Sequence, residues 1–149
     1  MTSVHAVLLP VGPDLFAVPI DRVREVVAAP PLTRLVTAPR LVLGLFNLRG
    51  QIVPLLDTAA LLGLPVIDAV AFAVVLQTRH GLLGLAVTGF PRRAMLDGLI
   101  GPSELVGTAG TFRVGERVAV LLDPDTLLAA ERFGRAPSSE IVAPSRVDA

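Results

Sequence analysis

The chain contains no cysteine, no tryptophan and no tyrosine, and only six phenylalanines in 149 residues. Without cysteine there is no disulfide, no thiolate nucleophile and no cysteine-ligated zinc, a usage compatible with a reducing cytoplasm. The shortage of aromatics removes the platforms on which proteins stack unpaired bases. An excess of one charge is missing too. Lys+Arg and Asp+Glu number 13 each, so no overall field draws nucleic acid or an anionic membrane. Apolar runs are short: the longest, Ala69 to Leu76, lies between Asp68 and Gln77 and cannot span a bilayer, so no membrane insertion is expected. The start, Met1-Thr2-Ser3-Val4-His5, lacks the basic and apolar regions of an export signal, so the cytoplasm is the expected location.

What is present is aliphatic. Hydrophobic residues make up 52% and charged residues 17%, which excludes wholesale disorder and predicts a core of Val, Leu, Ile and Ala. The length fits one domain, or two small subdomains sharing a core. Apolar residues fall in short runs broken by Gly, Pro and charged pairs, a β pattern. It predicts strands at Val4–Leu9, Leu15–Ile20, Leu41–Leu48, Gln51–Leu56, Ala71–Gln77, Leu82–Val87, Thr111–Val114 and Val118–Leu122. Turns are expected at Val11-Gly12-Pro13-Asp14, Arg49-Gly50 and Arg79-His80-Gly81. Three prolines between Ala28 and Pro39 predict an extended loop.

Two short helices are legible from their ends. Asp57 precedes Thr58-Ala59-Ala60-Leu61-Leu62, with Gly63 and Pro65 beyond. Asp123 precedes Pro124 and a run to Ala130, with an acid in the first turn and Arg132 and Gly134 at the far end. Both aspartates read as N-caps. Residues 135–149, rich in Pro, Ser and Ala, are expected to form a mobile tail after a domain over 1–134.

The helices expose a repeat. Gly50-Gln51-Ile52-Val53-Pro54-Leu55-Leu56-Asp57 parallels Gly115-Glu116-Arg117-Val118-Ala119-Val120-Leu121-Leu122-Asp123, each followed by a Leu-Leu pair. Phe16-Ala17-Val18-Pro19-Ile20 parallels Leu83-Gly84-Leu85-Ala86-Val87 at nearly the same offset. Two copies of a β-rich unit predict two related small barrels, the first over about 16–66 and the second over about 69–122, completed by the terminal segments.

These residues resemble the CheW-like family. Phe16 to Val27 resembles its first signature. Leu43-Gly44-Leu45-Phe46-Asn47-Leu48-Arg49-Gly50-Gln51-Ile52-Val53-Pro54-Leu55-Leu56-Asp57 resembles its second and most specific one. Phe72 to Val87 and Gly115 to Leu128 resemble the opening and close of its second barrel, so the likeness covers about residues 4 to 132. The resemblance implies an all-β fold with short helices, built from two SH3-like five-stranded barrels flanking an apolar groove. It also implies a non-catalytic adaptor without cofactors, joining the cytoplasmic tip of a chemoreceptor to the regulatory domain of a CheA-type histidine kinase. No kinase segment or receiver domain accompanies the matched blocks, so a stand-alone coupling protein recruited to receptor arrays is expected. A scaffold in another kinase-controlled pathway stays open. Where the family carries aliphatic-Asp-x-Val in its second copy, this chain has Val87-Thr88-Gly89-Phe90-Pro91-Arg92-Arg93, and the segment from Ala94 to Gly115 is short.

By this resemblance Val23, Glu25 and Arg49 are receptor-side candidates, and Leu35, Arg40 and Leu43 weaker kinase-side candidates. Residue chemistry alone allows plainer roles. Val23, Val26 and Val27 could belong to an amphipathic edge strand, and Arg49 could be a solvated turn residue. Asn47 suits the hairpin backbone, Gly44 a bulge and Gly50 a turn. Asp57-Thr58-Ala59 echoes the Asp-Thr-Gly of aspartic proteases, but Ala59 replaces the glycine and Asp123 is followed by Pro124. His5 and His80 have no partner at ligand spacing, no nucleophile elbow surrounds a serine, and Arg92-Arg93 reads as a solvated turn.

Overall fold

A computed structural model describes residues 3–65, 67, 69–103 and 107–128. The strands are β1 (Val4–Val11), β2 (Asp14–Pro19), β3 (Val23–Ala28), β4 (Val42–Leu48), β5 (Gln51–Asp57), β6 (Phe72–Thr78), β7 (Gly81–Val87), β8 (Arg92–Leu96), β9 (Leu99–Gly101), β10 (Thr108–Val114) and β11 (Arg117–Leu122). The helices are α1 (Thr58–Leu61) and α2 (Pro124–Leu127), and a single 3-10 turn, Ile20–Arg22, links β2 to β3. The expected all-β architecture with short helices is what forms. The expected tail at 135–149, Arg132, Gly134 and the end of the second helix lie outside the described residues.

Two sheets result, ordered β8-β1-β2-β11-β10-β9 and β3-β6-β7-β5-β4, and each curls into a barrel, A and B respectively. This division differs from the expected 16–66 and 69–122. Barrel A takes the β1–β2 hairpin from the N-terminal half and β8, β9, β10 and β11 from the C-terminal half. Barrel B takes β6–β7 from the second repeat and β3, β4 and β5 from the first. The exchange runs through two parallel pairings, β5 with β7 at Leu55↔Gly84 and β11 with β2 at Val120↔Phe16. Repeat symmetry is retained: Asp57 N–H donates to the Leu41 carbonyl (2.7 Å) and Asp123 N–H to the Gly107 carbonyl (2.8 Å).

Alternation along the strands divides the aliphatics among three cores. Ala6, Leu8, Leu15, Ala17, Leu96, Phe112, Ala119 and Leu121 fill barrel A. Phe46, Val53, Leu55, Ala73, Val75 and Ala86 fill barrel B. The residues between them, including Val7, Leu9, Phe16, Val18, Leu56, Val74, Leu76, Leu85 and Leu122, meet in a shared core between the barrels, closed by Leu61 and Leu127 of the helices. Strands buried on both faces read as continuous apolar runs, and this is why the chain carries so much Val and Leu. Fully burying each such side chain contributes about 1.5–3 kcal/mol.

Local chemistry follows the expected pattern in the β4–β5 hairpin. Arg49 (φ 49°) and Gly50 (φ 90°) both take left-handed backbone, as a tight two-residue hairpin requires. Asn47 Oδ1 accepts the Gly50 N–H at 2.8 Å. At Gly44 the β4–β5 register shifts, and a Cβ there would lie 2.9 Å from the Thr33 carbonyl oxygen. Glycine is needed at Gly44 for the close approach of the proline-rich loop.

Candidate functional site

The site candidates gather around β3, an edge strand of barrel B. Its valines are spaced against strict alternation, and a register shift between Val23 and Glu25 resolves the conflict. Val23 sits opposite Leu76 and Val26 opposite Val74, both partners lying in the shared core. Residues directly opposite on antiparallel strands share a face. Val23 and Val26 therefore look toward the junction of the two barrels. Glu25 and Val27 sit opposite Val75 and Ala73, which line the interior of barrel B, so they take the other face. The bulge thus divides residues that the sequence grouped together. Val23 is half-buried against the shared core, while Val26 keeps 42% of its surface exposed.

Glu25 and Arg49 are brought together. Arg49 Nη1 and Nη2 donate to Glu25 Oε1 and Oε2 at 2.6 and 3.0 Å, a bidentate pair. Because β3 and β4 are the two edges of the same sheet, the pair reaches from the β4–β5 turn to the opposite edge, across the seam of barrel B. The hydrogen bonds from Arg49 to Glu25, followed by the attraction of the carboxylate charge, raise the guanidinium pKa further. Arg49 is thus paired, although its side chain remains largely exposed to solvent.

The groove face continues onto barrel A. On β8, Met95 sits opposite His5 and Arg93 opposite Val7 of β1, and Val7 belongs to the shared core. His5, Ala6, Ile20, Arg93, Ala94 and Met95 line a cavity of about 370 Å³ beside the turn that leads into β3. Met95 is 48% exposed. Arg92-Arg93, expected in a turn, instead opens β8, because pairing with β1 supplies the backbone partners that local sequence does not. Phe90 stands exposed just before it, edge-on to Phe72 with ring centroids 5.3 Å apart.

The kinase-side candidates are dispersed. Leu35 is half-buried in the proline-rich loop and Arg40 is exposed. Leu43 is half-buried, packed against the interior of barrel B. Nearby, Pro31, Thr33, Leu45, Phe46, Asn47 and Ile52 line a second cavity of about 330 Å³, and Ile52 is 51% exposed there.

The carboxylates once paired by sequence act locally. Asp57 is buried, and its Oδ1 accepts the Ala60 N–H at 3.0 Å, the expected N-cap bond, while Oδ2 accepts the Ile67 N–H at 3.4 Å. Asp123 occupies the N-cap position, but its carboxylate caps no backbone N–H; Oδ2 instead accepts the Thr126 hydroxyl at 2.9 Å. Pro124 at the first helical position has no N–H to cap, as expected for that position. Among the described residues, no three His, Cys, Asp or Glu side chains gather where one metal ion could bind.

Sequence reasoning missed one polar cluster. Arg22, in the turn joining the two barrels, donates to Asp125 of α2 and to the Gln77 carbonyl (3.3 Å), while Arg79 Nη2 lies 3.8 Å from Asp125. The hydrogen bond from Arg22 holds the Asp125 carboxyl below its ordinary pKa. No local pattern could have paired residues 103 positions apart.

A family model of the CheW-like domain matches residues 5–132. The chain belongs to the CheW-like family. Among curated relatives, the probable chemotaxis protein CheW of Rhizobium etli is 29% identical over 127 residues, covering 78% of this chain and 82% of that protein. The chemotaxis protein CheW of Rhizobium meliloti is 37% identical over 79 residues, covering 52% of this chain and 51% of that one. The crystal structure of the scaffolding protein TtCheW from Thermoanaerobacter tengcongensis superposes with a TM-score of 0.74 at 17% identity, over 91% of this chain and 96% of that one. The CheW-like fold, two SH3-like barrels around a junction, is the frame on which β3 and β8 are presented.

Proposed function

We propose that this CheW-like chain is a non-catalytic adaptor that couples a chemoreceptor to a CheA-type histidine kinase. The observation that carries the reading is an apolar surface left over after three cores are filled. Val26, Met95 and the cavity at His5, Ile20 and Met95 lie on the junction face of β3 and β8. Other exposed apolar side chains, Ile52 and Phe90 among them, lie elsewhere, but Val26 and Met95 flank the junction, and exposed apolar groups there offer a place where a partner helix can bury its own apolar stripe. The receptor tip, a helical coiled coil, has that shape. The regulatory domain of the kinase, built on the same fold, would meet barrel B near the cavity lined by Pro31, Thr33 and Ile52. Glu25 and Arg49, paired across the seam of barrel B, would present their charges at the edge of the receptor surface. The adaptor would work in the cytoplasm, gathered at receptor arrays. Single contacts need be only micromolar, about −8 kcal/mol, because an array supplies many at high effective concentration.

The test is a binding measurement with a soluble receptor-tip fragment and the kinase regulatory domain. Val26→Asp should remain folded yet lose the receptor tip, since a charge facing an apolar contact costs a few kcal/mol. Val23 is the weaker probe, because its packing against the shared core mixes folding with binding. Arg49→Ala should weaken assembly with little change in the unfolding midpoint. Wild-type protein that captures neither partner refutes the adaptor role, and folded Val26→Asp that binds the tip normally refutes this groove.

A further inference from the structure

Arg93 ends the stretch Val87 to Arg93, and the fold gives it a specific position. Arg93 stands opposite Val7, on the face of β8 that looks into the groove, and it lines the cavity with His5, Ile20 and Met95. Arg92, one position earlier, stands opposite Leu8, an interior residue of barrel A, and so faces the other way.

The arginines around the groove differ in what they hold. Arg22 is engaged by Asp125, Arg24 donates to Gln77 Oε1 at 2.6 Å, and Arg49 is engaged by Glu25. Among the described residues, Arg93 has no carboxylate partner and no acidic residue lines its cavity. A guanidinium at the edge of an apolar cavity cannot lose its water without cost unless a carboxylate replaces it, and its planar fork suits that replacement.

Spacing adds a second condition. Arg93 and Met95 are two residues apart on a strand, hence roughly 7 Å along one face. One turn of an α-helix advances about 5.4 Å. A helix lying along β8 can therefore place an apolar side chain against Met95 and a carboxylate one turn away on Arg93.

We propose that Arg93 makes this groove selective for an acidic helix, one presenting an aliphatic or methionine side chain and, a turn away, an aspartate or glutamate. The inference rests on the reading of the groove as the receptor-tip site and names the chemistry of the tip it accepts. A tip with a neutral residue at that position gains nothing from Arg93, and a basic one is repelled.

The experiment measures binding of a soluble receptor-tip fragment to wild-type, Arg93→Gln and Arg93→Glu protein at low and high salt, with the kinase regulatory domain as control. Arg93→Gln should lose roughly three- to tenfold in affinity at low salt and converge on wild type at high salt, because an interfacial rim charge acts through screened attraction. Arg93→Glu should lose more and recover when one acidic residue of the tip is changed to arginine, while kinase binding stays constant. The exposed position of Arg93 on an edge strand keeps Arg93→Gln folded, so that variant alone decides the matter. If both variants bind the tip with wild-type affinity and salt dependence, the selectivity is overturned and the adaptor reading survives. Wild-type protein that binds no tip overturns both.

Discussion

Replacing Asp57 by alanine and, separately, Asp123 by alanine sets two equivalent positions of the repeat against each other. At Asp57 the carboxylate caps the Ala60 N–H at 3.0 Å and is 2% exposed. Loss of an N-cap costs about 1 kcal/mol, within a range of about 0.5–2. The buried site puts the cap loss toward the top of that range, and the part-buried Ile67 N–H is a second donor left without its acceptor, at about 1 kcal/mol. Asp57→Ala should therefore destabilise the protein by about 2–3 kcal/mol. At Asp123 the lost bond is to the hydroxyl of exposed Thr126, with no backbone N–H orphaned, so the cost should stay below about 1 kcal/mol. Asp57→Asn, which keeps an acceptor oxygen, should fall between wild type and Asp57→Ala. Urea unfolding followed by circular dichroism would read these differences, with an unchanged slope confirming that midpoints report stability. Equal losses at the two positions, or a larger one at Asp123, would refute the assignment of unequal roles to the two aspartates.

Three further outcomes follow from other contacts. Val27→Asp, which places a charge against the interior of barrel B, should cost several kcal/mol, whereas Val26→Asp on the opposite face should cost about 1 or less; thermal melts of the pair test the bulge in β3. Gly44→Ala should destabilise by about 1–3 kcal/mol, since its Cβ would meet the Thr33 carbonyl at 2.9 Å, and a melting temperature equal to wild type would count against that close approach. Asp125 has its carboxyl pKa depressed by Arg22, so its contribution to stability is full above the ordinary carboxylate value, about 4, and disappears as pH falls through the lower folded value. Asp125→Asn should flatten that acid limb in urea titrations, and an unchanged limb would show that the ion pair does not contribute to it.

Much of the protein is determined within short stretches of sequence. Asn47, Arg49 and Gly50 specify their hairpin because the turn needs left-handed backbone and a local acceptor, and both requirements fall within four residues. The Asp57 cap and the proline at the start of α2 are local in the same sense. The repeat was visible because equivalent strands carry equivalent apolar runs. Which strands join which barrel was not. Exchanging hairpins between two similar units buries the same kinds of side chain either way, so periodicity carries no vote on the pairing. β8 stayed hidden because Arg92 and Arg93 look like turn residues until β1 pairs with them. The separation of Val23 and Val26 from Glu25 also needed the tertiary structure, since a one-residue shift against β6 decides which face each side chain takes. Contacts of Arg22 with Asp125 and Arg49 with Glu25 join residues far apart in the chain, and only the packed barrels bring their charges within reach.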